Sequence, residues 1–332
     1  MVFRLLCLPD NVVIFTLRTM DIPVIFCFSL ISKATKHLVI DLKLKCLDTC
    51  LLVSTQVHLL VRFGKRNRVE SGFKLNHFTM DGNDGQKDLG MSTHVGYEYG
   101  EVDREYFLEE ESDSGVWLGL EYSVRDWILH IDSLFHRKLE WIAFLEGSQI
   151  YRPKSIREGV EGLHFATVDV SHCDRPEEVF ETFHDAPKIL LSNRHAPGSQ
   201  TIQKMMISNF DKIALKGVRS MSLDMLLLCN SRTILLENSI LTPKDLNRFL
   251  RSWCEGSMLR LGCLTCEIHS LNDFVEEEIL KGLKRGFLEK NQERMNIGVV
   301  DRSVVVQGKG REAMLEFSHF LEYSSISFEV CQ

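Results

Sequence analysis

"KILLSNRHAPGSQTIQKMMISNFDKIALKGVRSMSLDMLLLCNSRTILLE", residues 188–237, states one five-residue theme three times. Lys188–Ser192 reads KILLS, Lys212–Lys216 reads KIALK and Thr233–Glu237 reads TILLE. In each, an Ile, a spacer and a Leu alternate with period two, as a strand with one buried face requires. A helix-like stretch precedes each theme: RPEEVFETFHDA, TIQKMMISNF and SLDMLLLCNS. The strand starts fall 24 and then 21 residues apart, a spacing typical of leucine-rich-type solenoids. A strand–helix unit this short cannot bury both faces alone, so stacked neighbours would form a curved parallel sheet with helices outside. GCLTCEI at Gly262–Ile268 continues the series after the helix TPKDLNRFLRSW, whose Thr242 stands before Pro243 in the first turn. Upstream, LEWIAFLEG from Leu139 and LHFATVDVS from Leu163 read as earlier, more degenerate strands. The alternative is an ordinary α/β domain whose strands share a pattern.

The amino-terminal stretch Phe3–Val39, FRLLCLPDNVVIFTLRTMDIPVIFCFSLISKATKHLV, is strongly apolar. Pro9-Asp10-Asn11 and Asp21-Ile22-Pro23 interrupt it. The uninterrupted run Ile22–Ile31 is about half of the roughly 20 residues that a membrane span needs. A polar stretch without a small-residue cleavage signature follows, which argues against a signal peptide. The segment reads instead as three short helices. The first starts at Pro9 and Asp10, with apolar Val12, Val13, Phe15, Leu17 and Met20; the second carries Ile25, Phe26, Phe28 and Ile31; the third turns Leu38, Val39 and Leu42 inward. So small a unit buries little by itself, and its many apolar residues imply a partner or a following domain.

The chain has 332 residues, a formal net charge of −7 and a pI near 6.0. That acidic balance argues against sequence-blind nucleic-acid binding. The basic clusters Lys65, Arg66 and Arg68, and Lys281, Lys284 and Arg285, read as solvated faces. The 10 cysteines are scattered, and Cys7, Cys27, Cys229 and Cys331 lie in apolar runs, as reduced cysteines do in a cytoplasmic or nuclear protein. CLLVSTQVHLLVRFG at Cys50–Gly64 reads as one or two strands. From 65 to 115 glycines and acids accumulate, among them Glu98, Glu101, Asp103, Glu105, Glu109–Glu111 and Asp113, and a long acidic loop or insertion is expected. In its EEESDSG run, Ser112 and Ser114 stand in a charge run that is most simply solvated.

Catalytic signatures are weak. Cys263, Cys266 and His269 are three candidate metal ligands without a second pair nearby, and every third position of a strand does not share one face, so a structural role is expected and no metal. Gly308-Lys309-Gly310 lacks the setting of a phosphate loop and reads as a turn between RSVVVQ and AMLEFSHF. No catalytic or cofactor-binding residues are expected.

Two stretches resemble a known family. LLCLPDNVVIFTLRTMD…SLISKATKHLV resembles the F-box of nematode-type F-box proteins. Leu5, Leu8 and Pro9 match its Leu-x-x-Leu-Pro opening, Val12, Val13 and Leu17 its helical apolar positions, and Met20 and Asp21 its Met/Leu-Asp step. The proline that usually follows the aspartate directly falls one place later here, at Pro23, and Phe26 and Phe28 are bulkier than usual. MLLLCNSRTILLENSILTPKDLNRFLRSW with LRLGCLTCEI resembles the F-box-associated type 2 domain, most strongly over Leu223–Ile268 and weakly to the carboxy-terminal end. The residue patterns and the resemblance together give an expected α+β chain: a short three-helix F-box (3–45), strands leading into the second domain (46–64), an acidic loop or insertion (65–115) that departs from the family's pattern, and an F-box-associated, leucine-rich-repeat-like α/β solenoid domain (116–332). The resemblance implies a non-catalytic substrate-recognition adaptor of a Skp–cullin–F-box ubiquitin ligase. In that reading Leu5, Leu8, Pro9, Val12, Val13, Leu17, Met20, Ile25, Phe28, Leu30 and Leu38 serve a Skp-family adaptor and, through it, a cullin-RING ligase. The carboxy-terminal domain would hold a protein substrate, and neither nucleic acid nor membrane is involved. The alternatives are a solenoid interaction module outside any ligase and a hydrolase with a dispersed site.

Overall fold

Where the sequence places prolines and small hydroxyl residues, the chain starts helices. The structure, a computed structural model, describes residues 8–65, 68–76, 79–81, 87–89, 92–100, 113–192, 199–218, 221–268, 275–287, 294–295, 298–320 and 323–331. They divide into two compact units, Met1–Ala166 and Thr167–Gln332. The division falls inside 116–332, which the sequence reading took as one domain.

The first unit opens with α1 (Asp10–Leu17), α2 (Ile22–Ile31) and α3 (Lys33–Asp41). Pro9 stands immediately before α1, and Pro23 sits in the first turn of α2, where a missing N–H costs nothing. The displaced proline therefore lies inside the second helix, which covers the whole apolar run Ile22–Ile31. Ser32 separates α2 from α3 through a capping box with Thr35, in which each side chain meets the other's backbone N–H.

The same unit continues with β1 (Asp48–Val53), β2 (Val57–Lys65), β3 (Arg68–Asn76), β4 (Thr79–Asp81), β5 (Lys87–Leu89), β6 (Ser92–Gly100) and β7 (Asp113–Tyr122). Then come α4 (Val124–Phe135), β8 (Trp141–Phe144), a short 3-10 turn at Ser148–Ile150 and α5 (Pro153–Gly159). Its sheet runs β8-β1-β2-β3-β6-β7, with β8 and β1 parallel and the other neighbours antiparallel; β4 and β5 pair separately. All six residues of β1 are buried, as a central strand requires. Asp48 on β1 and Arg62 opposite it on β2 form a two-pronged ion pair, Nε–Oδ1 2.7 Å and Nη2–Oδ2 2.5 Å.

The loop expected over 65–115 is corrected here: β3, β6 and the start of β7 form a meander. Glycines and acids concealed the period-two alternation of the sequence, as in Val95-Tyr97-Tyr99 and Val116-Leu118-Leu120. Glu101, Asp103, Glu105, Glu109–Glu111 and Ser112 lie outside the described residues, and Ser114 belongs to β7.

The second unit alternates β9 (Thr167–Asp169), α6 (Pro176–Thr182), β10 (Lys188–Ser192), α7 (Ser199–Ile207), β11 (Lys212–Lys216), α8 (Leu223–Leu228), β12 (Thr233–Ser239), α9 (Pro243–Cys254) and β13 (Cys263–Ile268). Then follow α10 (Glu276–Ile279), β14 (Arg285–Phe287), β15 (Arg294–Met295), β16 (Gly298–Gly308), β17 (Arg311–His319) and β18 (Ser324–Val330). β9 to β13 pair side by side in parallel, and the themes at 188, 212 and 233 stand in register as Ile189↔Ile213↔Ile234. The alternation ends at β13, beyond which β18, β17, β16 and β14 add antiparallel strands. The architecture is thus α+β with an open mixed sheet rather than a uniform parallel repeat to the carboxy terminus. β16 and β17 meet in a tight hairpin in which Gly310 takes φ +75°, a conformation that glycine adopts without strain.

Candidate functional site

The three amino-terminal helices are short, and apolar residues surround α1 and α2 on all sides, so some must stay outside any core. Val13 (1% exposed), Leu17 (0%) and Ile25 (3%) are buried, while Leu8, Met20, Phe28, Leu30 and Leu38 are half-buried. Pro9 and Val12 are exposed, and Leu5 lies outside the described residues. The most exposed apolar side chains here are ones the sequence reading did not assign to a partner: Phe15 at 71%, Ile31 at 69% and Val24 at 50%. Val12 and Phe15 are three apart on α1, and Val24, Phe28 and Ile31 follow the four-then-three spacing that puts them along one side of α2. That spacing stands in the sequence, but apolar Val13, Leu17 and Ile25 on the other sides of the same helices hide which side is exposed. The inward residues support these two stripes from beneath.

α2 also has a polar foot. Phe26 stacks on Trp127 of α4 at 5.9 Å between ring centroids and meets His130 edge-on at 5.4 Å. Beside them the Ser29 hydroxyl lies 2.6 Å from the Phe26 carbonyl and 2.8 Å from His130 Nε2. One hydroxyl carries one proton, so Ser29 donates to the carbonyl and accepts from Nε2–H. Burial, helped by the Lys36 ammonium, lowers the His130 pKa from 6.5 to about 4.

This makes stability depend on pH. Between 6.5 and about 4 the unfolded chain binds a proton at His130 and the folded one does not. The stabilisation is therefore complete above pH 6.5 and is lost as pH falls through 4, by about 3 kcal/mol. Urea titrations of the wild type and His130→Gln at pH 7 and pH 4 measure the difference; equal pH dependence in both would refute it.

Chemistry elsewhere is sparse. Cys263 is half-buried and Cys266 buried, on opposite faces of β13, and His269 lies outside the described residues. Burial pushes the Cys266 and Cys46 thiols up to about 12, which keeps both protonated and unreactive at neutral pH. Among the described residues no group of three His, Cys, Asp or Glu side chains could hold a metal ion, and no helix is long and apolar enough to cross a membrane.

The most prominent feature the described residues of the three amino-terminal helices offer is thus the pair of apolar stripes Val12-Phe15 and Val24-Phe28-Ile31. No curated protein and no solved structure matches the chain. Residues 201–266, from within α7 to within β13, match the family model described as F-box associated.

Proposed function

We propose that the chain is the substrate-recruiting adaptor of a Skp–cullin–F-box ubiquitin ligase. The F-box-associated match over 201–266 carries the reading, because it supports a chain that links one protein to another. In this reading residues 3–45 act as the F-box, and the stripes Val12-Phe15 and Val24-Phe28-Ile31 meet a Skp-family adaptor together with Leu8 and Pro9. The strand–helix alternation within 116–332 acts as a leucine-rich-repeat-like recruiting domain. The chain breaks no bond itself. It raises the local concentration of a substrate lysine near a charged ubiquitin-conjugating enzyme held by the other subunits.

Removing one anchoring aromatic from such an interface weakens binding by about tenfold or more. The full-length chain is expected to co-purify with a Skp-family adaptor, and Phe15→Asp and Ile31→Asp each to bind that adaptor at least about tenfold more weakly. Both positions are solvent-exposed, so the fold tolerates the changes, which circular dichroism checks. A folded full-length chain that does not bind the adaptor rules out the ligase reading.

A further inference from the structure

The sheet of the Thr167–Gln332 unit has two unlike faces. Phe328 on β18 meets Phe249 and Trp253 of α9 edge-on, at 6.0 and 4.9 Å, which identifies the helix-covered face. The register carries that face across through Leu264, Ile234, Ile213 and Ile189, all buried. The residues between them point the other way and, from β10 to β17, stay largely half-buried or exposed.

That opposite face is organised. Leu190, Ala214 and Leu235 stand side by side in one row and form an apolar centre. The row continues to Asp169 of β9, and lysines flank it on β10 and β11: Lys188, Lys212 and Lys216. Glutamates occupy the strands beyond: Glu237 on β12, Glu267 on β13, Glu329 on β18 and Glu316 on β17. Lys216 and Glu237, 3.3 Å apart, mark the boundary between the two signs. Beside Glu329 lies a depression of about 660 Å³, formed by Thr233, Cys263, Met314 and Glu329 of this face, with Arg232 and Arg260 bringing positive charge to its rim.

An apolar centre, a charged rim and an adjoining depression are the parts of a protein-binding surface. The charge pattern selects the occupant. A uniformly anionic ligand would meet glutamates over half the face, and a uniformly cationic one would meet lysines over the other half. We propose that this face docks a protein segment whose apolar side chains are flanked by an acidic cluster, set over Lys188, Lys212 and Lys216, and a basic cluster, set over Glu237, Glu267, Glu316 and Glu329. Calling that segment the ligase substrate rests on the adaptor reading; the surface itself does not.

The test uses a phage-displayed library of random linear peptides selected on the full-length chain, with enriched peptides then measured on variants. Enriched peptides are expected to carry acidic, apolar and basic blocks in sequence. They should bind Leu235→Glu at least about tenfold more weakly. The exposed pair Lys188→Glu with Lys216→Glu, which no core packing opposes, should lose the preference for the acidic block while keeping its circular dichroism spectrum. Absence of enrichment, enrichment without charge blocks, or equal binding to wild type and the exposed pair variant each overturns the proposal. Adaptor binding of the same preparations is measured in parallel. Adaptor binding without peptide enrichment removes only the docking face, and the converse removes only the ligase reading.

Discussion

Trp127→Ala is expected to lower the unfolding free energy by about 4 kcal/mol, the range for a fully buried indole cut back to a methyl group. Trp127 is 0% exposed. Its ring stacks on Phe26 of α2 at 5.9 Å and meets Tyr122 at the end of β7 edge-on at 5.1 Å and His130 at 6.3 Å. Neighbours from three elements cannot all close on the vacated space, so most of the cavity cost persists. Leu129→Ala, on the same helix but 45% exposed, should stay within about 0.5 kcal/mol of wild type. Urea denaturation followed by two probes gives the numbers and tests for a single transition. A loss under about 1 kcal/mol for Trp127→Ala would show that α4 is not the support of α2 described above. If the chain binds a Skp-family adaptor as proposed, the same change should weaken that binding without touching an exposed residue, because Val24, Phe28 and Ile31 lie on the helix that Trp127 supports.

Legibility differs along the chain for physical reasons. The strands at 188–192, 212–216 and 233–237 lie where the sequence places them, because one fully buried face leaves a clean period of two. α9 is as plain: Thr242 caps it with Asp245, and Pro243 occupies its first turn. α1 and α2 are apolar all round, so their sequence shows that a surface must be covered but not which side; Phe15 and Ile31 emerged only with coordinates. In 65–115 composition concealed alternation. The docking face was invisible for another reason: Lys212, Leu235 and Glu329 are far apart in the chain, and only strand order and register bring them onto one surface.

Trp253→Ala is the second large loss expected, again about 4 kcal/mol, and it isolates what holds the antiparallel strands to the helical layer. Trp253 is 0% exposed on α9 and touches three strands. Phe328 of β18 meets its ring edge-on at 4.9 Å, and the Arg311 guanidinium of β17 lies over it at 4.6 Å. Gly308 of β16 comes so close that a Cβ there would stand 3.0 Å from Trp253 Cζ3 and 3.1 Å from Cys254 Cα. Lys309 N–H donates to the Cys254 carbonyl at 2.8 Å and Arg311 to the Trp253 carbonyl at 3.3 Å, so the hairpin is tied to the helix backbone as well as to the indole. Gly308→Ala alone should then cost about 1–3 kcal/mol by overpacking. The two changes share one space, and the double variant should lose less than the sum of the single losses. The recovery should be partial, because removing the ring clears the Cζ3 contact and leaves the Cys254 backbone where it was. Strict additivity in a urea-denaturation double-mutant cycle would show that the close approach of β16 to α9 carries no packing energy, and that the backbone hydrogen bonds alone hold the hairpin there.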